Sequence, residues 1–158
     1  MDRGSILAAF FGLMAALSLW LVISLSSPFA VGAFGIVLTR DGTTVVKNAD
    51  IASYNATSHA LILTSDSSER IRGMKAYLEG PFTIFLSGEE VLSGVFVPPI
   101  MSRSYPSSQV VITYPTFDSN YRVMKIQMGY PWDEPVSPDP RDDPRITQYF
   151  KATGRLIH

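Results

Sequence analysis

The segment GIVLTRDGTTVVK, residues 35–47, decides how the globular part of this chain begins to fold. Asp41-Gly42 stands between two runs rich in β-branched residues, and Asp-Gly in that setting is the strongest short-range signal for a β-hairpin. We therefore predict two antiparallel strands, residues 35–39 and 43–47, joined by a turn over residues 40–42.

The region before this hairpin contains a long apolar run. Residues 6–25 form twenty consecutive positions without a charge, and a helix of that length crosses about 30 Å of hydrocarbon. We predict an uncleaved transmembrane signal anchor over residues 1–27, followed by a domain over 28–130 and a C-terminal segment over 131–158. Two alternatives stay open: a secretory signal cleaved near Ala30–Ala33, and a pilin-like leader cleaved between Gly4 and Ser5. The run lacks the Glu that bacterial pilins carry near the start of this helix.

The charges that flank the run predict its orientation. Arg3 lies on the N-terminal side, whereas the first basic residue on the other side is Arg40. The positive-inside rule favours a cytoplasmic N-terminus. The predicted location is therefore the cell membrane, crossed once, with the C-terminal domain on the extracytoplasmic side.

Small residues form one face of the apolar run. Ala8, Gly12 and Ala16 follow one another at intervals of four, a spacing that lets two membrane helices approach closely. We predict that this face packs against another membrane helix.

Composition limits the remaining interpretations. The roughly 130 residues after the anchor suffice for one domain. The chain has 13 Lys and Arg, 14 Asp and Glu and no Cys, so disulfides and thiolate chemistry are excluded. Without a clustered basic surface, no nucleic-acid partner is expected. Asn55-Ala56-Thr57 is an N-glycosylation sequon, which matters only in a cell that glycosylates exported proteins.

The middle of the chain predicts strands around one helix. A strand over 58–64 leads into a helix that Asp66 would cap, with Glu69 at capping-box spacing, and Gly80-Pro81 would end it. Further strands are predicted at 82–86, 91–97, 109–114 and 121–128. The predicted fold class is α+β: one transmembrane helix, then a small, mostly antiparallel sheet with one helix in a βαββ-type core.

The C-terminal region changes character. Residues 131–144 contain five prolines and five acidic residues, a composition that disfavours a helix or central strand and predicts an extended arm. Residues 146–158 regain apolar side chains. We predict that Pro135, Tyr149 and Phe150 dock onto a partner, the alternative being a frayed terminus.

The span 58–112 resembles the head module of the extracytoplasmic domain of the Sec translocation accessory protein SecD. Leu61–Thr64 corresponds to the strand before the family's helix, Phe82–Glu89 to the next strand and its turn, and Val91–Gly94 to the return strand. Ser87 stands where the family has Asp, and Gly94 where it has Ala. The resemblance implies a βαββ shape and contact with an extended, translocating polypeptide.

No residue set predicts catalysis. His59 has no second His or Cys at metal-ligand spacing, so a half-buried strand residue is the expected role. Glu89 and Glu90 are neighbours on a strand and would point to opposite faces. We expect no catalytic residue, no metal and no cofactor.

The predicted function follows from the anchor, the arm and the missing catalytic set. We expect a single-pass accessory or structural subunit of a larger membrane complex, whose partners are the lipid bilayer and other membrane protein subunits. The alternatives are a SecD-head-like module that binds extended polypeptide at the membrane surface, and a pilin-like filament subunit.

Overall fold

The structure, a computed structural model, describes residues 33–74, 78–98, 102–115 and 121–158. Within these residues nine strands form one sheet in the order β2-β1-β5-β6-β7-β8-β4-β3-β9, and two α-helices pack on it. The strands are β1 (Phe34–Leu38), β2 (Thr44–Lys47), β3 (Ile51–Asn55), β4 (Ala60–Leu63), β5 (Gly80–Leu86), β6 (Glu89–Val97), β7 (Tyr105–Thr113), β8 (Val123–Tyr130) and β9 (Leu156–Ile157). The helices are α1 (Ser65–Gly73) and α2 (Pro144–Ala152).

The hairpin at residues 35–47 is confirmed. β1 and β2 pair in antiparallel fashion, and the turn holds Gly42 at a φ of 72°, a conformation that glycine adopts without a Cβ penalty. The Asp41 carboxylate accepts the backbone N–H of Thr43 at 3.0 Å, as an Asp at a turn typically does. Local turn chemistry therefore accounts for this element.

The sheet is strongly rolled. β2 and β3 stand first and eighth in its order, so seven strand spacings of a flat sheet would separate them by about 34 Å. Only the 3₁₀ helix Asn48–Asp50 joins them, and four residue steps reach at most about 14 Å. The sheet must therefore curve until β2 and β3 lie close together. We call the line where they approach each other the seam, and the 3₁₀ helix lies along it.

The buried carboxylate of Asp50 closes this seam together with α1. It accepts hydrogen bonds from Ser67 Oγ at 2.8 Å and from the backbone N–H of Lys47 at 2.8 Å, and it pairs with Arg70. The helix is capped by Thr64, whose Oγ1 accepts the N–H of Ser67. The predicted cap at Asp66 is wrong by two residues, because the seam requires the helix to begin beside Asp50.

The inner face of the rolled sheet forms the main core. Phe34, Ile36 and Leu38 alternate inward from β1, and both helices add apolar side chains, Ile71 from α1 and Phe150 from α2. A second, smaller cluster of Val97, Val111 and Tyr130 is buried on the outer face of β6, β7 and β8.

The predicted fold class is wrong. In a βαββ core the strand before the helix joins the two that follow it, whereas β7 and β8 separate β4 from β5 and β6. A nine-stranded mixed sheet with parallel pairs β6–β7 and β3–β9 takes its place. Long-range pairing of this kind cannot be recognised from local periodicity.

The predicted anchor, residues 1–27, lies outside the described residues, and no helix among those described is long and apolar enough to span a membrane.

Residues 131–139 contain no helix or strand, but the part of the C-terminal segment that follows them is helical and packs on the sheet. Pro144 occupies the first turn of α2, and the Asp143 side chain caps that helix by accepting the N–H of Arg145 at 2.9 Å. Phe150 is fully buried between the rings of Phe34 and Tyr54, with ring centroids 5.3 and 4.9 Å away. The segment therefore completes the same core as the hairpin.

Candidate functional site

A connected group of ion pairs surrounds Arg141. The side chain of Arg141 is only 6% exposed, and its guanidinium pairs with Asp139 at 2.6 Å and Asp133 at 2.9 Å. It also donates to the carbonyl oxygen of Ile126 on β8 at 3.2 Å. Lys125 adds a further ion pair to Asp133 at 3.0 Å. We name these four charged residues, Lys125, Asp133, Asp139 and Arg141, the Arg141 network.

Two turns position the Arg141 network. Asp133 lies just beyond β8 and accepts the backbone N–H of Met128 at 2.9 Å. Asp139 caps the 3₁₀ helix Pro140–Asp142 and accepts the N–H of Arg141 at 2.9 Å. The guanidinium thereby ties the proline-rich segment to the edge of β8 that β4 leaves uncovered.

A line of three polar side chains runs beside this network. Tyr54 Oη lies 3.2 Å from His59 Nδ1, and His59 Nε2 lies 3.8 Å from the Asp142 carboxylate. His59 occupies the turn before β4 at a φ of 51°, rather than the strand that the sequence predicts. Burial raises the pKa of Tyr54 to about 12. The pKa of His59 is lowered mainly by burial and, to a smaller extent, by the positive charge of Arg141.

This line could pass a proton between phenol, imidazole and carboxylate, but its inner end is closed. Tyr54 is 2% exposed and stacks on Phe150, so a substrate has no path to its hydroxyl. Every buried side-chain nitrogen and oxygen in the described ranges has a hydrogen-bond partner. Those ranges also contain no group of three His, Cys, Asp or Glu side chains suited to a metal ion. The geometry favours a structural role for these groups.

Electrostatics supports that role for Asp139. Its hydrogen bond from Arg141 lowers the pKa of the Asp139 carboxyl, which is therefore ionised at neutral pH and held by the guanidinium. A buried charge needs such partners, and the loss of one leaves the other uncompensated.

The residues that anchor the C-terminal segment were missed from the sequence, although a signal was present. Asp139-Pro140-Arg141 and Asp143-Pro144-Arg145 repeat the same tripeptide. In both, the Asp caps a helical turn, the Pro occupies its first turn and the Arg folds back onto the cap, with Nη2–Oδ2 distances of 2.6 Å. Asp followed by Pro is a helix-start signal. Burial distinguishes the copies, since the Arg141 side chain is 6% exposed and that of Arg145 is 47% exposed.

The structure separates the predicted docking residues. Pro135 is exposed, Tyr149 is half-buried with its hydroxyl on Asn48, and Phe150 is buried in the core. Phe150 therefore presents no surface to a partner. The predicted membrane-packing residues Ala8, Gly12 and Ala16 lie outside the described residues.

The sequon residue Asn55 ends β3. Its amide oxygen accepts the backbone N–H of Ser58 at 2.8 Å, which orders the turn towards β4. The side chain thus has a structural role whether or not it carries a glycan.

A shallow groove lies between α2 and β9. Its volume is about 400 Å³, and it is lined by Thr147, Lys151, Gly154, Leu156 and His158. Because it is open to solvent and combines one ammonium group with a hydroxyl, an imidazole and an apolar side chain, its lining does not specify a ligand.

Comparison with known proteins gives no match: no family model, no curated protein and no solved structure matches the chain. The resemblance of residues 58–112 to the SecD head stays a prediction. The strands that carry it, β4, β5 and β6, do not form one contiguous unit of the sheet.

Proposed function

We propose that this chain is a membrane-anchored accessory subunit of a larger membrane-protein complex, with a non-catalytic domain on the extracytoplasmic side. The observation that carries the proposal is the charge-free run of residues 6–25, which is followed by only eight residues before β1 begins at Phe34. A domain joined so closely to an apolar segment works at the membrane surface.

The domain's own polar groups support a non-catalytic role. The Arg141 network and the line from Tyr54 to Asp142 are satisfied by one another and tie the C-terminal segment to the sheet. A catalytic group needs access to a substrate, and the phenol of Tyr54 is enclosed.

Membrane topology is testable because the chain has no Cys. Ser5→Cys and Ser65→Cys each introduce one thiol, the second at an exposed position in the first turn of α1. In intact cells, a membrane-impermeant maleimide should label Ser65→Cys and leave Ser5→Cys unlabelled until the membrane is broken. Both chains should stay with the membrane after carbonate extraction. Labelling of both thiols in intact cells, or release by carbonate, would contradict the proposal.

Partnership is tested by purifying the full chain from native membranes in mild detergent, with intact-mass analysis. We expect stoichiometric co-purification of other membrane proteins and an intact N-terminus. Gly12→Leu should reduce that yield because a bulky side chain separates helices that pack through small residues. Ser18→Leu is the matched control, since a helix places it about 120° around from Gly12. Recovery of the chain alone, or of a chain that starts at Ser5, would overturn the accessory-subunit proposal.

A further inference from the structure

Two large apolar side chains are exposed among the described residues. Trp132 is 73% exposed and Ile157 is 43% exposed, while the other large apolar side chains described are at least half-buried. Trp132 is the larger of the two, and its indole is open to solvent just beyond the end of β8.

Strand directions point both side chains towards one side of the rolled sheet. All pairings are antiparallel except β6–β7 and β3–β9, which are parallel, so β1, β4, β6 and β7 begin towards that side, and β2, β3, β5, β8 and β9 finish towards it. Trp132 follows the end of β8, and Ile157 is the last residue of β9. The chain also arrives there from its N-terminal segment, since the carbonyl of Ala33 accepts the N–H of Ser87 at 3.0 Å. Trp132 therefore lies at the end from which the apolar run departs, and Ile157 lies on a strand that finishes towards the same side.

The turn that carries Trp132 is built to hold it in place. Met128 receives a hydrogen bond from the N–H of Glu134 at 3.0 Å and donates to the Asp133 carboxylate at 2.9 Å. Gly129 has a φ of 79°, and a Cβ there would lie 3.2 Å from the carbonyl oxygen of Trp132 and 3.1 Å from that of Tyr105. Asp133 is in turn held by Arg141 and Lys125. The indole thus projects from a fixed turn.

We propose that Trp132 and Ile157 contact the lipid–water interface of the membrane, so that this end of the sheet lies on the bilayer. The inference rests on the proposed membrane anchoring. Eight residues, 26–33, separate the apolar run from β1, and the nine steps from residue 25 to residue 34 reach at most about 32 Å, which limits how far this end can lie from the surface. Indole rings favour the headgroup region, where an apolar body and a polar N–H are both accommodated.

The charges at this end do not drive the contact. Glu89 and Asp143 both pair with Arg145, and Asp133 pairs with Lys125. The exposed carboxylates of Glu90 and Glu134 add negative charge, so this side carries no excess positive charge to attract anionic headgroups. The contact therefore depends on the apolar side chains and requires neither low salt nor anionic lipid.

The test uses the two tryptophans of the chain. Trp20→Phe leaves Trp132 as the sole indole. The full-length variant is reconstituted into phosphatidylcholine vesicles with and without brominated acyl chains. We expect the Trp132 emission to shift to shorter wavelength and to be quenched by brominated lipid, at low and high salt and with or without phosphatidylglycerol.

The matched control moves the indole to the other end of the sheet. Trp20→Phe, Trp132→Phe and Ser65→Trp together place the only indole on α1, which follows the end of β4. Its emission should stay that of an indole in water. A polarity-sensitive dye on Ile157→Cys, compared with the same dye on Ser65→Cys, tests the second contact without any tryptophan change.

The outcomes separate this inference from the proposed function. If the chain stays with the vesicles after carbonate extraction while Trp132 remains accessible to acrylamide, the anchoring stands and the inference is overturned. If carbonate releases the chain, both are overturned. Protection of Trp132 that requires anionic lipid or low salt, or that occurs only in native membranes and not in pure lipid, also overturns the inference, the last result in favour of a protein partner.

Discussion

The β1–β2 hairpin and the C-terminal segment are both ordered parts of one core, yet they are ordered by different forces. The hairpin depends on contacts a few residues apart, such as the bond between Asp41 and Thr43. The C-terminal segment depends on distant contacts, such as Phe150 against Phe34 and Arg141 against Ile126. Local order can be predicted from neighbouring residues, whereas order of the second kind requires the partner strands to be in place.

The largest expected effect tests whether the C-terminal segment is part of the core. Phe150→Ala removes a fully buried ring from between two aromatic partners and should lower the free energy of unfolding by about 4 kcal/mol. Gln148→Ala, an exposed position on the same helix, should change it by less than about 0.5 kcal/mol. Urea unfolding of the full chain in detergent, followed by near-ultraviolet circular dichroism, measures both. Equal effects would mean that α2 is dispensable to the core.

The repeated Asp-Pro-Arg tripeptide offers a matched pair for the second prediction. Arg141→Ala leaves the carboxylates of Asp133 and Asp139 without their buried partner and should cost about 3 kcal/mol. Arg145→Ala removes the same local geometry at an exposed position, so its effect should be far smaller. The same unfolding measurement applies. If the two variants lose equal stability, the local tripeptide rather than tertiary burial holds the segment.

For the hairpin we predict a smaller loss of stability. Gly42→Ala places a Cβ on a residue at a φ of 72° and should cost about 1 kcal/mol, although no neighbouring atom obstructs it. Gly73→Ala, in α1, also meets open space but has no positive φ, and it should be neutral or slightly stabilising. Thermal unfolding of both variants distinguishes backbone conformation from crowding. A neutral Gly42→Ala would show that the turn is not the origin of the hairpin.

The smallest effect is a dependence on pH. His59 has a folded pKa below its ordinary value of 6.5, so the unfolded chain binds the extra proton first and stability falls as the pH drops below about 6.5. Asp139, whose folded pKa lies below 3.8, adds a second loss below about pH 3.8. Thermal unfolding from pH 8 to pH 3 should show both losses, and His59→Gln should abolish only the first. A first loss that survives His59→Gln would assign it to another group.

Much of the strand content was predictable from local pattern. Strands near residues 60, 82, 91, 109 and 123 are present, because alternating β-branched and aromatic residues favour a pleated backbone. β3 was missed, since Ala52, Ser53 and Asn55 give it no strong alternation. α2 is not predicted, because the prolines of residues 131–144 favour an extended arm, although Asp143-Pro144 is a helix start.

The sequence by itself determined the hairpin, the strand-rich composition and the absence of cysteine chemistry, because turn residues and side-chain alternation act within a few positions. It also supplies the charge-free run from which membrane anchoring is proposed. Only the tertiary structure decided that β4 lies beside β8, that the sheet rolls until Asp50 closes its seam, and that Arg141 is buried while Arg145 is not. These outcomes depend on pairing and burial between residues far apart in the chain, and such pairing is a property of the whole core rather than of any segment.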